Sequence, residues 1–169
     1  PVLLNRTPYG KASKGFDRLL EAGYAVCTQD TRGRHASDGD FEIFSEAATG
    51  DGEDGYDTIE WLAAQPWCNG QVGTFGASYA AWMQWQAARL QPPHLVAMVA
   101  YSIPLELHEV DYTGSFRPGR RVKWWLNTIG PDMWRRELGQ DGVPAAAQEL
   151  LTELAATNWL GILPWSKLL

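Results

Sequence analysis

The sequence predicts an α/β fold built on a mostly parallel sheet, and three observations carry that reading. Four short runs, Pro1 to Arg6, Tyr24 to Thr28, Val72 to Phe75 and Leu95 to Tyr101, have the length and composition of strands. Helical patterns or helix-length connections separate them, as β-α-β crossovers require. One run passes into a helix through Gly76-Ala77-Ser78-Tyr79, at the carboxyl end of a strand, where α/β sheets place their active sites.

Pro1 to Arg6 begins apolar and turns polar, as a strand does on leaving a core, and Thr7-Pro8-Tyr9-Gly10 reads as the loop after it. Phe16 to Ala22 suits a short helix with Phe16, Leu19 and Leu20 on one face, stopped by Gly23. Tyr24 to Thr28 is a buried-strand run, and the glycines and charges of Gln29 to Thr49 exclude regular structure across most of that segment. Tyr56, Ile59, Trp61, Leu62 and Ala63 define a helical face that ends before Pro66. Asn69-Gly70 marks a turn, Val72 to Phe75 a strand and Tyr79 to Leu90 a helix, and Pro92-Pro93 breaks the chain before Leu95. Beyond Tyr101 the pattern is helical, at Val122 to Ile129, Met133 to Leu138 and Ala145 to Ala156, with breaks at Gly130-Pro131 and from Gly139 to Pro144. The expected organisation is a core at residues 1–104 followed by a helical segment at 105–169. Five of the nine tryptophans (Trp124, Trp125, Trp134, Trp159 and Trp165) fall in that segment, where they either pack a small subdomain or wall the serine.

With 169 residues and 45% apolar content the chain can bury one core. A formal net charge of −6 and the lack of a basic stripe argue against nucleic acid or an anionic membrane surface as partner. Cys27 and Cys68 make no disulfide framework and read as free thiols. His35, His94 and His108 lack metal-ligand spacing, so neither a metal nor a cofactor is expected. No apolar run reaches membrane-spanning length, and no signal peptide opens the chain, which leans towards the cytoplasm. The sequence starts at Pro1 inside a strand-like run and stops at Leu169, so it reads as part of a longer protein; its oligomeric state is not legible.

A serine on a sharp strand-to-helix turn is a nucleophile elbow: the bend exposes the hydroxyl and aims main-chain N–H groups at a developing oxyanion. The pattern asks for glycine two residues on either side of the serine; Gly76 supplies the first, and Ala80 replaces the second by one methyl. A dinucleotide-binding turn is disfavoured, because Gly70, Gly73 and Gly76 are spaced by threes. An ordinary strand-to-helix turn remains the alternative on the local pattern.

Several segments together resemble one family. These are Arg6-Thr7-Pro8-Tyr9-Gly10-Lys11, Gln29-Asp30-Thr31-Arg32-Gly33-Arg34, Asp38-Gly39-Asp40-Phe41, Asp54 to Leu62, Gln65 to Gly70, and Gly76-Ala77-Ser78-Tyr79. They are similar, in the expected order, to the α/β-hydrolases that include cocaine esterase, X-prolyl dipeptidyl aminopeptidase and α-amino acid ester hydrolase. The resemblance implies a partial α/β-hydrolase fold with flanking helices and the start of a helical cap. It implies Ser78 as the acylated nucleophile, with an oxyanion hole made by the Tyr9 hydroxyl and the Tyr79 main-chain N–H, each such donor supplying roughly 3 kcal/mol. Small-molecule esters, amides or short peptides are the implied substrates.

Asp30, Arg32 and Arg34 are read as a salt-bridged loop bracing the elbow. His35 precedes Ser78, which conflicts with the Ser, acid, His order of α/β-hydrolases. Neither His94 nor His108 has the context of a catalytic base, and Asp111, Asp132 and Asp141 lie in cap-like sequence, so the triad acid and histidine are expected outside this chain. Ala81 stands where the family has a glycine, a change that favours helix. Glu106, Glu109 and Asp111 would suit a cationic substrate or a solvated helix face. Two rival readings remain: a binding domain that has lost its triad, and an acyltransferase using the same elbow.

Overall fold

The computed structural model describes residues 1–45, 50–103 and 120–156. The chain forms two compact units, Pro1–Leu107 and His108–Leu169.

The first unit is a four-stranded parallel sheet with helices in its crossovers: β1 (Val2–Thr7), α1 (Asp17–Glu21), β2 (Ala25–Asp30), α2 (Asp51–Ala63), β3 (Val72–Ala77), α3 (Tyr79–Arg89) and β4 (Leu95–Tyr101). The strand order is β2-β1-β3-β4. From β1 the chain goes first to one neighbour and then to the other, so the order reverses between β1 and β3. That reversal leaves a crevice beyond their carboxyl ends, because the crossovers on either side run to opposite faces. The β1–β3 ladder joins only Val2 to Leu4 with Val72 to Thr74. At the next level the Asn5 side-chain amide takes over, donating to the Phe75 carbonyl at 2.8 Å.

Val2, Leu4 and Val72 face the core with Ile59 and Leu62 of α2 and Ala87 of α3. Each of the buried Val, Leu and Ile side chains contributes roughly 1.5–3 kcal/mol. Helix α2 begins at Asp51, five residues before the apolar face read from the sequence. Its glycines are required by the approach of α3: a Cβ on Gly55 would lie 2.7 Å from the Ala87 Cβ and 2.9 Å from Arg6 Nη1. Asp51, Glu53 and Asp54 in its first turn complement the positive end of the helix dipole.

Three local expectations are corrected. Trp61 is 60% exposed and so is not on the buried face of α2, which is Ile59, Leu62 and the glycines. Leu20 is 54% exposed, because α1 is only five residues long and buries none of them. Cys27 is half-buried, since β2 is an edge strand covered less fully than β1 and β3.

In the second unit, α4 (Arg120–Trp124) runs into a π-helical turn at Trp125–Ile129 and then into α5 (Gly130–Leu138), with α6 (Ala145–Ala156) after a break. Gly130-Pro131 therefore does not break the chain as expected. Proline is accepted in a first helical turn, where its missing N–H would have no intrahelical acceptor. Gly130 leaves room for two rings: a Cβ there would meet Trp125 and Trp134 at 3.0–3.1 Å, and those rings pack edge to face with centroids 5.4 Å apart. Gly139 ends α5 in the left-handed conformation, its N–H donating to the Arg135 carbonyl.

Candidate active site

Ser78 sits between β3 and α3 with φ 57° and ψ −125°, a conformation L-residues avoid. Such an outlier costs on the order of 1–3 kcal/mol and persists only where its surroundings impose it. Here the Ser78 N–H donates to the Tyr101 carbonyl on β4 at 3.0 Å, and the Ser78 carbonyl accepts from the Ala81 and Trp82 N–H groups at 2.9 and 3.0 Å. Serine is a preferred helix N-cap, yet this side chain makes no capping bond and the residue is exposed. The bend thus leaves the hydroxyl at the surface, unused by the helix it starts.

Gly76 makes the bend possible. A Cβ there would lie 2.7 Å from the Ala80 Cβ and 3.0 Å from Asn5 Nδ2. The methyl of Ala80, which replaces the second glycine of the pattern, is accommodated because Gly76 has no side chain to oppose it. Ala81 is fully buried in the first turn of α3.

Tyr9 follows β1 on the neighbouring strand. Because β1 and β3 are parallel neighbours, the Tyr9 loop and the elbow both leave the sheet at its carboxyl end. Tyr9 is half-buried, and its N–H donates to Thr7 Oγ1 at 3.1 Å. Arg34, fully buried, donates from Nε to the Pro8 carbonyl at 2.9 Å and lies over the Phe41 ring. Asp30, 4% exposed, accepts from the Lys11 N–H at 2.7 Å and pairs with its ammonium at 3.3 Å. His35 places Nε2 3.3 Å from the Pro8 carbonyl. Asp30 and Arg34 therefore brace the Tyr9 loop. Arg32 turns away to pair with Asp54 at the start of α2.

Tyr79 is the first residue of α3, and its N–H is among those with no acceptor inside the helix. Its side chain is wholly buried. The phenol donates to Asp51 Oδ2 at 2.9 Å and accepts the Phe44 N–H at 2.6 Å, and the ring stacks on Phe44 with centroids 4.4 Å apart. The Asp51 carbonyl accepts from Arg6 Nη1 at 2.7 Å. Burial raises the Asp51 carboxyl to about 6, opposed by the Arg6 guanidinium and the Tyr79 hydrogen bond and assisted by Asp54. Burial also raises the Tyr79 phenol, and the adjacent Asp51 charge adds to the rise. Arg6 is held below its ordinary value by the same burial, partly offset by Asp51 and Asp54. The sequence reading missed Asp51, which lies 28 positions from its partner and has no motif to mark it.

The other acid and base candidates lie elsewhere. His94 pairs with Glu60 at 2.7 Å, and its carbonyl accepts the Val72 N–H at the amino end of the sheet. That is about 20 Å from the elbow along β3. Asp132 and Asp141 both pair with Arg135 in the second unit. Glu106, His108, Glu109, Asp111, Trp159 and Trp165 lie outside the described residues.

The model for the X-Pro dipeptidyl-peptidase (S15) family matches residues 1–165. The chain is 44% identical over 122 residues to cocaine esterase from Rhodococcus sp. (strain MB1 Bresler), covering 68% of this chain and 21% of that protein. It thus spans about a fifth of the length of that relative. A putative serine esterase of Mycobacterium tuberculosis is 39% identical over 62 residues, 37% of this chain and 10% of that protein. Among solved structures, a CocE/NonD family hydrolase from Staphylococcus aureus superposes with a TM-score of 0.67 at 26% identity, covering 89% of this chain and 31% of that one. An α-amino acid ester hydrolase, at 20% identity and a TM-score of 0.66 over 95% of this chain and 32% of that one, shares the fold. The parallel sheet with its flanking helices is part of an α/β-hydrolase fold, and the chain belongs to the X-Pro dipeptidyl-peptidase (S15) family of hydrolases.

Proposed function

We propose that the protein cleaves ester or amide bonds of small molecules or short peptides through an acyl-enzyme on Ser78. The observation that carries this reading is the exposed serine held at φ 57° between β3 and α3, with its side chain not used to cap the helix. A base removes the hydroxyl proton as Oγ attacks the acyl carbon. The resulting oxyanion is stabilised by the Tyr79 N–H and the Tyr9 hydroxyl. Collapse expels the alcohol or amine, which takes the proton from the base, and water then releases the acid. Asp51 and the Tyr9-loop braces hold the two donors in place. The base is not His94, which faces the opposite end of the sheet in a pair with Glu60. We assign the base and its acid partner to sequence beyond these 169 residues.

The test is hydrolysis of an activated ester by the protein expressed from its whole reading frame. Ser78→Ala should lower kcat by at least on the order of 10³-fold with the fold intact. Unchanged turnover would reject the assignment, and absence of turnover in the unaltered protein would favour a binding domain instead.

A further inference from the structure

We propose that Gln84 is a positioning residue for the elbow, fixing the main chain on both sides of Ser78. This inference rests on the assignment of Ser78 above. Gln84 lies on α3, 6% exposed. Its amide nitrogen donates to the Ala80 carbonyl at 3.0 Å and the Gly76 carbonyl at 3.3 Å, and reaches the Val99 carbonyl of β4 at 3.4 Å. Gly76 and Ala80 are the residues two before and two after Ser78. One carboxamide therefore spans the strand end, the first helical turn and the neighbouring strand.

The amide is itself oriented. The Gly76, Ala80 and Val99 carbonyls can only accept, so the Nε2 end faces them and the elbow, while Oε1 on the other side accepts from Thr74 Oγ1 at 3.0 Å. Packing alone gives no reason for a glutamine here, because an apolar side chain of similar volume would avoid burying an amide. A serine at positive φ relaxes toward ordinary backbone angles unless its flanks are held. The carboxamide holds both flanks, and its hydrogen bonds run to main-chain carbonyls and Thr74 rather than to the Ser78 hydroxyl. Its effect on chemistry is thus through Ser78.

The experiment compares Gln84→Met, Gln84→Glu and Ser78→Ala in the protein from the whole reading frame. It reads the rate of phosphonylation by a fluorophosphonate probe, kcat and KM on an activated ester, and the thermal midpoint. Gln84→Met should slow labelling and kcat together by roughly 10- to 100-fold, the scale of a small misplacement of a reacting group, with KM within about twofold. Gln84→Glu keeps the acceptor for Thr74 and can donate only while its carboxyl is protonated. Its rate relative to wild type should therefore fall as pH rises through the ionisation of that carboxyl, a dependence that loss of packing would not produce. If Gln84→Met folds poorly, Gln84→Glu carries the test. Labelling and kcat within twofold of wild type in the variants, with Ser78→Ala abolishing both, would overturn the role of Gln84 and leave the nucleophile standing. Wild-type labelling of Ser78→Ala would instead reject the nucleophile.

Discussion

The two ends of the sheet are made by the same strands and differ in what they bury. At the carboxyl end Arg6, Asp30, Thr31, Arg34, Asp51 and Gln84 are each less than a tenth exposed. Most of them bond across elements, to the Tyr9 loop, to Tyr79 or to the carbonyls beside Ser78. The Thr31 hydroxyl is buried there with no hydrogen-bond partner among the described residues. At the amino end the polar groups that close the connections, His94, Asn69 and Gln71, are exposed. Burying polar groups is costly unless each finds a partner, so a fold accumulates them where geometry must be held against its own preference. Ser78, at positive φ, lies on the buried-polar end.

Substitutions at the two ends should separate them, beginning with the largest effect. Tyr9→Phe should lower kcat about 10²- to 10³-fold with little change in thermal midpoint, as expected for loss of one oxyanion donor. Steady-state kinetics on an activated ester check this.

Asp51 gives a pH signature. Its folded value of about 6 lies above the ordinary 3.8, so the folded state binds the extra proton. The associated stability is present in full below about pH 4 and is lost as pH rises through about 6; two units correspond to about 3 kcal/mol. Denaturant midpoints measured from pH 4 to pH 7 should fall more steeply for wild type than for Asp51→Asn. Parallel curves would contradict the buried carboxyl.

Gly76→Ala should destabilise by about 1–3 kcal/mol, because the new methyl would sit 2.7 Å from the Ala80 Cβ. Urea unfolding measures it. His94→Ala should be the mildest change, removing an exposed pair worth less than about 1 kcal/mol and leaving kcat unchanged. A large loss of kcat would place catalytic machinery at the amino end after all.

The parts of this arrangement visible in the sequence are those written in consecutive residues. Apolar runs marked the four strands, and Gly76 with Ser78 marked the bend, because each depends on neighbours along the chain. The polar scaffold was not visible. Tyr79 looks like any aromatic at a helix start until Asp51 and Phe44 arrive from 28 and 35 positions away. Gln84 falls among alanines and tryptophans and reads as one polar residue in an amphipathic helix. The start of α2 was hidden for another reason. Gly50-Asp51-Gly52-Glu53-Asp54-Gly55 has the composition of a loop, yet two of its glycines are there for contact with α3, Gly55 against Ala87 and Gly52 against the Gln86 carbonyl. The Tyr9-loop braces were recognised as structural but their partners were not legible, since spacing does not reveal that Arg34 reaches back 26 positions to the Pro8 carbonyl.

The most direct test of the account is to trap the intermediate. The protein from the whole reading frame is mixed with a slowly deacylating ester, quenched in acid within one turnover, and its peptides are mapped by mass. The acyl group should be found on the peptide containing Ser78 and on that residue. Acylation of a different residue, or hydrolysis proceeding undiminished in Ser78→Ala, would contradict it.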